Sequence, residues 1–298
     1  MRKRTNTDNH RHQGVDNIAQ TKILQSNKDR KRFPTPYLVI VVGNRYEGSC
    51  RIGCNELNSD VPNRRHRHRD VINGHAVGNL LLAALWDRDE DTVAGLDRVG
   101  ALLKVIGRVL PMASEPLDIE ATFENSIGTK IVRGQAEVAT TKGRLKSLRI
   151  IPENPTAYPE ALAAIADAEW ITMGPGSWFS SVIPHLLVPA QRDAIISSEA
   201  KKILLLNLDI ADKSAGEYAG YSPLEHLHIL STYAPALHFD CVVIDSSAEG
   251  QSELREHLST IGSELVVADL RSAGAPLHHD VKKLGQLFSH IDSQILVG

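Results

Sequence analysis

Four residues between two apolar runs, Gly174-Pro175-Gly176-Ser177 in "WITMGPGSWFSSVIPHLLVP", have the types and spacing to bind an anion. Glycines at both ends of such a turn free its backbone and remove side chains that would block a ligand. Ser177 stands where a helix begins, able to cap it or to give its hydroxyl to a phosphate oxygen. Backbone N–H groups and the helix dipole then point into one space. A tight strand-to-helix turn without a ligand has the same sequence, so the motif alone leaves both readings open. A second turn of this kind lies at "NGHAVGNLLLAALW", where Gly74 and Gly78 flank His75 and Asn79 opens the first turn. There His75 is a candidate phosphate contact and Asn79 a candidate contact to a base or ribose edge; a capped helix start is the plainer alternative. Asn207 closes the apolar run "KKILLLNL" and is a third candidate, with Glu217, Tyr221, Glu225 and His226 after it.

Other chemistries lack their residues. The chain has no G-x-x-x-x-G-K-[ST] phosphate loop, no G-x-S-x-G nucleophile elbow and no H-E-x-x-H pair. His226 and His228 are two apart on an expected helix and face different ways. His278-His279-Asp280 is expected to precede the last helix, with Asp280 as its cap and ligand contact from the histidines the less favoured role. Three cysteines, Cys50, Cys54 and Cys241, form neither a disulfide framework nor a zinc site. No catalytic or metal-binding residue is therefore assigned.

The elements that would position these turns follow from the apolar pattern. "YLVIVVG" at 37–43 reads as a buried strand, and helical spacing runs through 74–86 and 91–107, with Asp91 capping the latter. Three strands are expected next, in "PLDIEATFE", "TKIVRGQAEVAT" and "GRLKSLRIIP", the last with Leu145, Leu148 and Ile150 partly inward. From Pro159 onward short apolar strands alternate with helices. They are "WITM", "KKILLLNL", "DCVVID" and "ELVVADL", with helices expected at "PEALAAIADA", "WFSSVIPHLLV", "SPLEHLHILSTY" and "SELREHLSTI". That alternation predicts an α/β, Rossmann-like, mostly parallel sheet with helices on both faces and a β-rich insertion. Residues 1–35 read as a basic, disordered leader. Residues 36–298 read as a single α/β domain in which 36–73 is degenerate and 117–151 is the insertion.

With 298 residues, 42% hydrophobic and 23% charged, the chain can bury a core of ordinary size. The net charge of −3 conceals fifteen Lys and Arg against seven Asp and Glu in residues 1–72. Such a basic arm suggests nucleic acid, but only Phe33, Tyr37 and Tyr46 are there to stack on bases. Nucleic acid is not favoured, and no apolar run is long enough for membrane insertion. A cytoplasmic location is expected, and a homo-oligomer stays open.

In order, "GHAVGNLLLAAL", "GRVLPM", "PEALAAIADAEWITMGPGSWFSSVIPHLLVP" and "NL…GY…EHL" resemble the YvcK-type gluconeogenesis factors, especially actinobacterial ones, over about residues 74–270. That family is related in fold to 2-phospho-L-lactate transferase (CofD). The resemblance implies a non-catalytic, cytoplasmic protein that binds UDP-N-acetylglucosamine and is needed for cell shape during gluconeogenic growth. It implies no required cofactor, a dinucleotide being the other candidate ligand. The candidate ligand contacts read from the turns are Gly74, His75, Gly78, Asn79, Gly174, Pro175, Gly176, Ser177 and Asn207. The amino-terminal part departs from the family. Its first glycine loop is unmatched, Arg45 and Tyr46 stand where two aspartates are expected, and only Gly48, Ser49, Glu56 and Leu57 of that stretch match. About one helix is missing between Pro62 and Gly74. Leu258 stands where a tyrosine is expected, and His278 where an arginine is. A transferase of the lactate-transferase kind and a decayed copy with no activity are the alternative readings.

Overall fold

Apolar runs of four or five residues, each flanked by turn formers, become the strands of one parallel sheet. They do so in a computed structural model that describes residues 37–40, 81, 84–86, 88, 91–104, 107–126, 128–208 and 221–295. The strands are β1 (Tyr37–Ile40), β5 (Trp170–Met173), β6 (Lys201–Leu205), β7 (Cys241–Asp245) and β8 (Glu264–Ala268), in the order β1-β5-β6-β7-β8. Every neighbouring pair is parallel. Between β1 and β5 the chain forms a separate antiparallel sheet of β2 (Asp118–Asn125), β3 (Gly128–Arg133) and β4 (Arg144–Ile151), in the order β3-β2-β4. The α/β class and the β-rich insertion expected from the sequence are both present.

Strand periodicity sends alternate side chains to opposite faces. Leu204, Val242 and Ile244 join one large core with the helices α3 (Pro159–Ala166), α5 (Pro189–Ser197), α6 (Pro223–Tyr233) and α7 (Gln251–Thr260). Ile203, Leu205, Cys241 and Val243 face the other way, onto Leu287 and Ile291 of α8 (Val281–Ile295). Both faces are thereby covered, as strands with apolar residues in every position require. Cys241 is fully buried in the second core, and burial, with Glu264 and Asp240 acting in the same direction, pushes its thiol pKa up to about 12.

Three boundaries differ from the sequence expectation. The helix expected at 91–107 is α1 (Thr92–Leu102), capped by Asp91, whose carboxylate accepts from the amides of Val93 and Ala94. It ends before Lys104, which takes a left-handed φ of 52°. The strand expected through "TKIVRGQAEVAT" stops at Arg133. Gly134, at φ 103°, turns the chain into α2 (Gln135–Thr140), which buries Val138 and donates from Gln135 Nε2 to the Ser180 carbonyl at 3.2 Å. The single helix expected in "WFSSVIPHLLV" is one π-helical turn (Trp178–Val182) followed by α4 (Pro184–Leu187). Pro184 and Pro189 each start a helix, because a first-turn N–H is unused there; α5 after Pro189 was not anticipated. Helical residues at 81 and 84–86 agree with the helix expected at 74–86, and residue 88, beyond that bound, is helical too. Among the described residues no helix is long and apolar enough to cross a membrane. The leader at 1–35 and the stretch 41–73 lie outside the described residues.

Candidate functional site

The "WITM" run ends as β5, and the glycine turn leaves it beside the end of β6. Gly174 has φ 76°, and a Cβ there would collide with the Leu205 carbonyl oxygen. Only glycine fits both the left-handed backbone and the contact. Two residues on, the Gly176 N–H donates to Asn207 Oδ1 at 2.8 Å, and Asn207 Nδ2 donates to the Gly176 carbonyl at 2.7 Å. This pairing fixes which way the Asn207 amide faces, since an N–H must meet oxygen and a carbonyl must meet nitrogen. The Gly176 amide, expected to be open to an anion, is therefore engaged by Asn207. Ser177 acts as the cap: its Oγ accepts from the Ser180 amide at 3.2 Å and lies 2.5 Å from Ser180 Oγ. The next turn is π-helical because Val182 N–H and Ile183 N–H reach back five residues, to the carbonyls of Ser177 and Trp178, each at 2.9 Å. Such turns recur at functional sites.

Beneath the π turn is an aromatic layer. Phe179 packs on Phe123 of β2 at 5.8 Å and on Tyr221 at 5.9 Å, and Trp178 meets His226 edge-on at 4.9 Å. Tyr221 ties the insertion sheet to this layer by accepting from the Leu145 amide at 2.6 Å. Arg144 lies over the Tyr221 ring and pairs with Glu225 at 2.9 Å. Glu225 in turn completes a capping box with Ser222 at the start of α6. His226 is fully buried with Nδ1 2.9 Å from the Ser222 carbonyl; burial lowers its pKa to about 4, against the pull of that carbonyl and of Glu225. It is a neutral core histidine. His228, two residues on, is exposed, as expected of the opposite helix face.

A charged cluster at the end of β7 escaped the sequence reading. Asp245, 2% exposed, accepts from Ser247 N–H at 3.0 Å, Ser247 Oγ at 2.5 Å, Leu270 N–H at 2.8 Å and Arg271 Nε at 3.1 Å. Burial alone would raise its pKa, but the hydrogen bonds from Ser247, Leu270 and Arg271 outweigh it and hold the carboxyl below 3.8. Arg271 begins a hairpin of β9 (Arg271–Ser272) and β10 (Ala275–His279) and donates from Nη2 to the Leu208 carbonyl at 2.5 Å. His279 of β10 is its cross-strand partner. Asp280 caps α8 as expected, accepting from the amides of Lys282 and Lys283 at 2.9 and 3.1 Å. The signals were an acid closing the run "DCVVID" and an arginine just after "ELVVADL", both at carboxyl ends of strands.

The structure thus brings Gly174, Pro175, Gly176, Ser177 and Asn207 together at the carboxyl ends of β5 and β6, where open α/β sheets place ligands. Gly74, His75, Gly78, Asn79 and Glu217 lie outside the described residues. Leu258 is a core residue, 1% exposed, and His278 is exposed.

A sequence profile of the family described as 2-phospho-L-lactate transferase CofD matches residues 45–283. A Mycobacterium tuberculosis protein carrying a gluconeogenesis-factor name is 38% identical over 248 residues, spanning 78% of this chain and 72% of that one. The gluconeogenesis factor of Bacillus subtilis is 28% identical over 190 residues, spanning 64% of this chain and 58% of that one. A crystal structure of a UPF0052-family protein from Bacillus halodurans superposes with a TM-score of 0.59 at 24% identity, over 72% of this chain and 71% of the other. This last likeness concerns the fold.

Proposed function

The chain belongs to the CofD family, and on that premise we propose that it is a gluconeogenesis factor that binds a nucleotide sugar, UDP-N-acetylglucosamine, without transforming it. The observation that carries this reading is the two-bond contact between Asn207 and Gly176, at 2.7 and 2.8 Å. It holds a glycine turn rigid at the carboxyl ends of two adjacent parallel strands, and rigidity in the free protein lowers the cost of binding. Backbone and amide groups fixed in advance suit recognition, and no pair of groups with pKa values pushed apart around a reacting bond accompanies them among the residues at this turn. The binding is read as serving cell shape during gluconeogenic growth, in the cytoplasm and with no required cofactor.

Isothermal titration with UDP-N-acetylglucosamine tests this, with phosphorus NMR of the same mixture over hours. Saturable binding with an unchanged phosphorus spectrum is the expected result. A cooperative melt with no binding heat at two temperatures overturns the ligand. Release of a nucleoside monophosphate or a sugar phosphate overturns the non-catalytic part and turns the reading towards a transferase.

A further inference from the structure

Two histidines from neighbouring helices meet at the surface. His228 of α6 and His257 of α7 have ring centroids 5.3 Å apart and ring planes at 90°. His228 is exposed and His257 half-buried, so solvent reaches the pair. Among the described residues no other group hydrogen-bonds either ring. The fold imposes their closeness. Leu227 and Leu230 anchor α6, and Leu254 and Leu258 anchor α7, in one common core. Each histidine therefore projects from a helix whose buried neighbours are already packed.

An edge-to-face pair of rings is a packing contact in its own right. The distance also matches a second use. Zinc binds imidazole nitrogen at about 2.0–2.1 Å, and the ring centre lies about 1.1 Å beyond that nitrogen. Each centroid is then about 3.2 Å from the metal, and a tetrahedral angle of about 109° sets two centroids about 5.2 Å apart. A square-planar ion, with ligands at about 90°, would need about 4.5 Å. The observed 5.3 Å fits the tetrahedral case. Only the nitrogens have to turn inward. Rotation about the Cβ–Cγ bond does this while hardly moving the centroid, and that torsion has broad wells.

We propose that His228 and His257 together bind a zinc ion, each through one ring nitrogen, and so clip α6 to α7. Water completes the tetrahedron, since among the described residues no group of three or more His, Cys, Asp or Glu is placed to hold a metal. Two protein ligands with two waters make an open, exchangeable site, unlike the closed four-ligand sites on which folding depends. The site uses no residue of the glycine turn, so it stands or falls independently of nucleotide-sugar binding.

Calorimetric titration of the full chain with zinc chloride tests this, comparing wild type with His228→Gln and His257→Gln. Thirteen histidines are spread along the chain, so the variants, and not the total metal bound, locate the site. Wild type is expected to show one binding step that either substitution weakens about tenfold or more. Zinc should also raise the melting temperature of wild type, because the paired rings exist only in the folded chain, and should raise that of each variant clearly less. Should a glutamine variant fail to melt cooperatively without metal, alanine at the same position replaces it. A zinc step that survives either substitution overturns the proposal. So does a wild type whose binding and melting match those of the variants.

Discussion

The side chain of Asn207 satisfies both backbone polar groups of Gly176, donating to the carbonyl at 2.7 Å and accepting from the N–H at 2.8 Å. Asn207→Leu removes both bonds at a part-buried site. We predict a loss of about 1–3 kcal/mol in unfolding free energy by urea titration, with UDP-N-acetylglucosamine affinity reduced by about tenfold or more. Lower stability with unchanged affinity would show that this turn braces the fold but does not meet the ligand.

Gly174 and Gly262 have nearly the same backbone, at φ 76° and 74°, but only Gly174 faces a neighbour, the Leu205 carbonyl. Alanine at either position carries the left-handed cost of about 1–2 kcal/mol. Gly174→Ala adds a collision, so its urea midpoint should fall well below that of Gly262→Ala. Equal midpoints would mean that the β5 and β6 ends separate easily, and that the site is not rigid.

Acid should unfold this protein by way of its histidines. Burial lowers the pKa of His185 to about 4 from the usual 6.5, and of His226 and His279 to about 4 as well. A base with a depressed folded pKa binds its proton in the unfolded chain first. Its contribution is complete above about pH 6.5 and is lost as pH falls from there towards 4. Each such proton corresponds to about 1.4 kcal/mol per pH unit across the window. Unfolding free energy measured at pH 7 and pH 5 should therefore drop, and His185→Leu should flatten the difference by close to one proton. Parallel behaviour of wild type and His185→Leu would mean that His185 is solvated in the folded protein. Asp245 adds its own loss only in stronger acid, because the hydrogen bonds from Ser247, Leu270 and Arg271 hold its carboxyl below the usual aspartate range.

Local pattern carried most of the fold into view. The runs "WITM", "ILLL" and "CVVI" are apolar in nearly every position, as strands of a sheet covered on both faces are, and they lie in or at the ends of β5, β6 and β7. The glycine turn was legible because Gly174 answers a backbone demand that no other residue meets. Its partner Asn207 was legible only as a strand terminus, not as a partner of Gly176, 31 residues away. The Asp245–Arg271 cluster and the reach of Arg271 to Leu208 span 26 and 63 residues, and no local signal encodes such contacts. The π turn was hidden because nothing in the run Trp178–Val182 separates a turn closed over five residues from one closed over four; the bonds that define it, and the packing of its rings on Phe123, Tyr221 and His226, exist only in the folded chain.

Cys241 sits in the sheet's interior with its thiol held protonated, its pKa near 12 and no solvent exposure. An alkylating reagent reacts with thiolate and needs to reach the sulfur, so the folded protein conceals this atom on both counts. The residue is accordingly a clock set inside the protein. The rate at which it acquires a label measures how often β6, β7 and β8 part, with no dye or mutation introduced. A ligand that locks the strand ends together will slow that clock in proportion to its occupancy, which turns a buried sulfur into a gauge of binding at a site it does not touch.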